Sequence, residues 1–293
     1  MVNALGWWCD SSMRILPALP PVIGPQVYEH HIYEHHRASV SPRFAGGGDA
    51  VAFSPQQILL TGEDNTWMVP VQQVYDTTLP VYKYLPDSPS RHFVRTLRNA
   101  LQATPKLLQQ EIAEAGYRIL IANSFRSFPE GWRSVEQKKK VAGRCSSKSK
   151  LIMIPRRVMG GSRLFRNAET SLYHEMGHAL AFTRKAHNPE WPAFWQGFLK
   201  SYAQDLKTLN TRQMNNHYVP DGKWGNDDIE QPAQEVFAEL SAIYLHCNTP
   251  GDFDSRPGIL ASSAYAEFVR AFPNTTAYMA PLMAAFDLRP LKA

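Results

Sequence analysis

The chain has 293 residues, 44% of them hydrophobic and 19% charged. That composition excludes a disordered or fibrous protein and allows a substantial buried core. The formal charge is +5, no apolar run reaches the roughly 20 residues of a membrane helix, and the three cysteines (Cys9, Cys145, Cys247) are too few and too far apart for a disulfide framework or a Cys-x-x-Cys metal knuckle.

In chain order, Met1 to Pro21 lacks the basic start and continuous apolar stretch of a secretory signal. The expectation is a protein that stays in the cytoplasm or leaves by a route needing no cleaved signal. Residues 1–88 read as an irregular N-terminal region serving docking or transport. Pro17, Pro20, Pro21, Pro25 and Gly46-Gly47-Gly48 interrupt it, and short strands are expected at Trp67–Val71 and Leu79–Tyr84. It contains a tandem repeat, Tyr28-Glu29-His30-His31-Ile32 then Tyr33-Glu34-His35-His36-Arg37. This reads as a surface segment with adventitious metal affinity, the rival reading being a second ion site. Leu85-Pro86-Asp87-Ser88-Pro89-Ser90 reads as a linker or helix start, so a separate domain is expected over 89–293.

A helical pattern then runs from Arg91 to about Ala115, through Phe93, Leu97, Leu101, Leu107, Leu108 and Ile112. Tyr117–Ala122 and Lys150–Pro155 are apolar runs of strand length. Between and beyond them lies a basic stretch. Arg133 to Arg166 holds eleven basic residues against Glu136 alone, whereas residues 1–90 are net −4. A solvated hairpin tip or a dock for the acidic N-terminal region is the expected reading; an acidic substrate, anionic lipid or nucleic acid is the rival one. No nucleic-acid motif accompanies the stretch, so no nucleic-acid partner is expected. Helices are expected next with Asn167 as a possible N-cap, over Trp191–Leu209, after Pro232, and near 259–271 and 275–287.

The helix after Asn167 carries Tyr173-His174-Glu175-Met176-Gly177-His178-Ala179-Leu180. At about 3.6 residues per turn, His174 and His178 stack on one face and are placed to bind one zinc ion. Glu175, about a hundred degrees round the helix, sits beside the ion, where it acts on water as a general base. Leu172, Met176, Ala179 and Leu180 give the helix an apolar face to bury. Gly177 costs about 1 kcal/mol against alanine mid-helix, and close approach of another backbone would explain it. The third ligand is not six residues after His178, where Arg184 stands. The downstream helix, with Val236, Phe237, Leu240, Ile243 and Tyr244, is apolar over most of its surface. Its Glu235 and Glu239 are therefore two carboxylates on a buried element, costly unless paired. Glu235 is assigned as third zinc ligand and Glu239 as acceptor for the free N–H of a ligand histidine. A surface helix with both glutamates in water, or swapped roles for the two, are the alternatives.

With these motifs, Tyr173–Leu180 and Glu235-Val236-Phe237-Ala238-Glu239, the chain resembles the gluzincin peptidases. Within them it is similar to the catalytic domain of the anthrax lethal factor and Pro-Pro endopeptidase group. The likeness covers roughly residues 90–250 and is specific at the two motifs. It implies an α+β, helix-rich zincin-like domain with a small β-sheet beside the zinc-binding helix, Tyr117–Ala122 and Lys150–Pro155 fitting its strands. It implies a zinc endopeptidase acting on a protein or peptide substrate, which pairs as a strand with a β-edge, and suggests a secreted toxin or effector. The family places an oxyanion-stabilising tyrosine shortly before the metal glutamate. Here those positions read Asn226-Asp227-Asp228, so Tyr218, with His217 beside it, is the expected donor; Tyr173 and Tyr244 are expected in the core. The rival functions are a catalytically silent zincin-fold binding protein and a basic nucleic-acid or membrane-surface binder.

Overall fold

In the computed structural model, residues 55–61, 65–75, 77–129, 143–157, 168–209, 218–220, 229–248 and 263–291 are described. Strands β1 (Pro55–Thr61) and β2 (Thr66–Tyr75) form an antiparallel pair. β2 then pairs antiparallel with β3 (Val81–Tyr84) through an irregularity between Gln73 and Tyr75. A helical crossover, α1 (Arg91–Ala103) and α2 (Lys106–Glu114), leads to β4 (Arg118–Ser124), which is parallel to β3. β5 (Arg144–Ser146) runs antiparallel to β6 (Leu151–Arg157), which lies parallel to β4. The order across the sheet is β1-β2-β3-β4-β6-β5. Hydrogen bonds from Thr61 N to Ser149 Oγ (2.8 Å), and from that hydroxyl back to Thr61 O (3.3 Å), join the end of β1 to the β5–β6 turn. The sheet therefore curls, and the chain is α+β.

The curl explains why β4 and β6 read as continuous apolar runs: both of their faces are buried. Ile119, Ile121, Ile152 and Ile154 face the helices in the larger core. Leu120, Ala122, Leu151 and Met153 face a second core with Ile58, Leu60, Val69, Val71, Phe125 and Phe128. Among the described residues five helices follow: α3 (Ala168–His187), α4 (Trp191–Thr208), α5 (Glu230–Asn248), α6 (Ser263–Ala271) and α7 (Pro273–Ala284). Aromatic rings of α4 fasten it to α5, Phe198 meeting Phe237 edge-on at 5.4 Å. Buried Asp205 of α4 accepts four hydrogen bonds from the first turn of α7, from the backbone N–H and side chain of both Asn274 and Thr275. Those donors compensate a carboxylate taken out of water.

Two expectations are corrected. The pattern over 91–115 is two helices, not one. Pro105 has no N–H to donate and forces Thr104 into an extended backbone (φ −73°, ψ 138°), ending α1 there. The domain boundary at 88/89 falls inside a single unit covering 51–293. β1, β2 and β3 hydrogen-bond into the same sheet as β4, and Ser90 caps α1 directly by accepting from Phe93 N. The rest of the expected N-terminal region, with the Tyr-Glu-His-His repeat, lies outside the described residues, as does Asn167.

α3 and α5 cross closely because of Gly177. A Cβ there would lie 2.8 Å from Ser241 Cβ, 2.9 Å from Ala238 Cα and 3.0 Å from the Ala238 carbonyl oxygen. The mid-helix glycine is the price of that approach, as its position in the sequence suggested. Gly177→Ala tests this by its sign. Alanine in a free helix gains about 1 kcal/mol over glycine, whereas overpacking here is expected to cost about 1–3 kcal/mol. A lowered urea midpoint is the expected result, and a raised one contradicts the close crossing.

Candidate metal centre

The α3–α5 crossing brings together side chains far apart in the sequence. His174 Nε2 lies 3.3 Å and His178 Nε2 3.6 Å from the same oxygen, Glu235 Oε2. One donor atom from each residue falls within 4.8 Å of the others. Four ligand atoms set tetrahedrally round zinc at about 2.0–2.1 Å stand roughly 3.4 Å apart, so the donor types and their spacing fit such an ion. The two imidazoles meet edge-on, centroids 4.9 Å apart. Glu235 is one-third exposed, which leaves an approach from solvent.

Behind these three, His174 Nδ1–H donates to Glu239 Oε2 at 3.0 Å. This leaves Nε2 of that ring directed at Glu235, the tautomer a metal ligand needs. The i, i+4 spacing of the two glutamates puts one at each nitrogen of the same imidazole. Burial alone lowers the pKa of His174, but hydrogen bonds to Glu235 and Glu239 outweigh it and hold the ring at about 10. Burial likewise acts to raise the Glu235 pKa, and its hydrogen bonds to His174 and His178 overcome that and keep it well below the carboxylate range. In the metal-free cluster the His174 imidazolium thus faces the Glu235 carboxylate, and that ring has a proton to lose before it can ligate.

Glu175 is 7% exposed. Burial pushes its carboxyl pKa up, against the opposing pull of His178 and His174. It is met from the other side by β5: the backbone N–H of Cys145 lies beside its carboxylate and acts to lower that pKa. The Cα of Gly143 is so close that a Cβ there would lie 2.8 Å from Glu175 Cγ and Oε1. These two contacts were not legible in the sequence, where 138–150 reads as a basic loop. The three-residue strand Arg144–Ser146 carries no periodicity to find.

Tyr218 reaches the same centre. Its backbone carbonyl accepts from Tyr202 Oη at 2.7 Å and its ring packs edge-on against Phe268 at 5.0 Å. Its phenol lies beside Glu239. Burial first, then the charges of Glu239 and Glu235, push its pKa up, so it stays a donor at neutral pH. His217 and Asn226-Asp227-Asp228 lie outside the described residues. Tyr173 and Tyr244 are in the core, as expected. Of the basic stretch, Lys150 lies over the Tyr117 ring and Arg156 donates to Asn123 Oδ1, while 130–142 and 158–167 are outside the described residues. Among the described residues no helix is long and apolar enough to cross a membrane. Comparison with protein-family models, with curated proteins and with solved structures finds no match to this chain.

Proposed function

We propose that this protein is a zinc-dependent endopeptidase of gluzincin type, hydrolysing peptide bonds of a protein substrate. The observation that carries the reading is the convergence of His174, His178 and Glu235 on one point, with Glu175 buried on the next turn face of the same helix. His174, His178 and Glu235 would hold the ion, and Glu239 orients His174. Zinc bound there supplies Lewis acidity, polarising a carbonyl and lowering the pKa of water towards 7.

The chain's own groups do the proton work. Glu175 accepts a proton from the attacking water and returns it to the departing amine, a task suited to a carboxylate whose pKa is raised by burial. The Tyr218 phenol, protonated beside Glu239, would turn its one O–H to the oxyanion that develops on the scissile carbonyl. Export as a toxin or effector is part of the proposal and rests on the resemblance of the two motifs alone.

Digestion of a peptide library by the zinc-loaded full chain, with new termini read by mass spectrometry, tests the proposal. Cleavage at a consistent sequence, lost in Glu175→Gln, is the expected result; identical spectra for the two proteins count against it. For Tyr218→Phe, kcat is expected to fall about 10²-fold with bound zinc unchanged, the usual cost of one oxyanion donor. An unaltered kcat removes Tyr218 from the mechanism.

A further inference from the structure

A general base on a long side chain must be restrained, since misplacement by about 1 Å can cost about 10²-fold in rate. Glu175 has three rotatable side-chain bonds, and neither α5 glutamate can fix it, because like charges repel. The restraint comes from β5. Among the described residues this strand is the last in the sheet order, with β6 on one side only. The Cys145 N–H, which lies beside the Glu175 carboxylate, is on the strand edge away from β6 if it meets that carboxylate. Gly143 stands two residues earlier, and residues two apart in a strand present the same side. With a Cβ, it would lie 2.8 Å from Glu175 Cγ and Oε1 and 3.2 Å from Cδ, in a space already filled by the carboxylate.

We infer that Gly143 and the Cys145 N–H are positioning groups for the general base: the edge strand forms a cradle that admits Glu175 only because residue 143 has no side chain, and fixes its carboxylate by one backbone hydrogen bond. The inference deepens the peptidase reading and rests on it for its catalytic consequence, but the cradle itself is measurable without turnover. An amide on the free edge of an edge strand exchanges readily with solvent unless something covers it. A charge-assisted hydrogen bond to the Glu175 carboxylate slows that exchange.

The experiment is residue-resolved hydrogen exchange on the full zinc-loaded chain, followed by kinetics on the best-cleaved library peptide. In wild type the Cys145 amide is protected; in Glu175→Ala it exchanges about tenfold faster or more, with the Ile152 amide across the ladder unchanged. Gly143→Ala keeps stoichiometric zinc and KM but loses about 10- to 100-fold in kcat. That loss shrinks in a Glu175→Asp background, whose shorter side chain vacates the contested space. A Cys145 amide that exchanges equally fast in wild type and Glu175→Ala overturns the cradle, as does a Gly143→Ala variant with wild-type kcat. A protected Cys145 amide in a chain that cleaves nothing upholds the cradle and sinks the peptidase reading instead.

Discussion

Glu175→Gln is expected to retain stoichiometric zinc and lose peptide hydrolysis by about 10²–10⁴-fold or more, the range assigned to a positioned general base. The substitution is chosen because the structure says what it leaves intact. Glutamine has the same shape, so it fits the space beside Gly143. Its amide oxygen can accept from the Cys145 N–H beside it. None of His174, His178 or Glu235 is touched. What is lost is the ability to take a proton from water. A variant that binds zinc and cleaves at the wild-type rate would remove Glu175 from the mechanism, whatever the centre does with the metal.

The second large effect is on the metal itself. Glu235→Ala removes the oxygen that lies 3.3 Å and 3.6 Å from the two imidazoles. It is expected to abolish stoichiometric zinc after dialysis, read by metal analysis. Of the three ligands, Glu239→Gln touches only the far nitrogen of His174, and outer partners of this kind cost about 10–100-fold in affinity. The order of the two variants therefore separates their roles; a larger loss for Glu239→Gln would exchange them.

The same cluster gives a pH dependence with a definite sign. In the metal-free chain His174 is raised from 6.5 to about 10. Its contribution to stability is fully present below 6.5 and is lost as the pH rises through 10. Zinc must displace the proton, so zinc affinity rises with pH through that interval.

The sequence made the site legible because its chemistry is periodic. His174 and His178 sit one turn apart, and Glu235 and Glu239 repeat that spacing on a helix otherwise too apolar to be exposed. Gly177 was legible as a cost in need of a cause, which Ala238 and Ser241 supply. Other features were not readable, each for a physical reason. Turn residues at a junction between packed elements look like those of a linker, so Pro86, Pro89 and Ser90 suggested a boundary where one 3-10 turn, Leu85–Asp87, joins β3 to the segment that caps α1. Glu235 and Glu239 share one helix face, so their assigned roles could have been swapped; in the structure Glu235 lies at Nε2 and Glu239 at Nδ1 of His174. β5 is three residues long within a basic stretch, and a strand that short has no pattern until its partners are in place.

The centre is most directly tested by zinc K-edge X-ray absorption on the full chain. One zinc per chain, with nitrogen and oxygen neighbours at about 2.0–2.1 Å, the outer-shell scattering of two imidazoles and no sulfur, is the result the account predicts. A zinc–sulfur shell at about 2.3 Å, or no zinc retained at all, would contradict it.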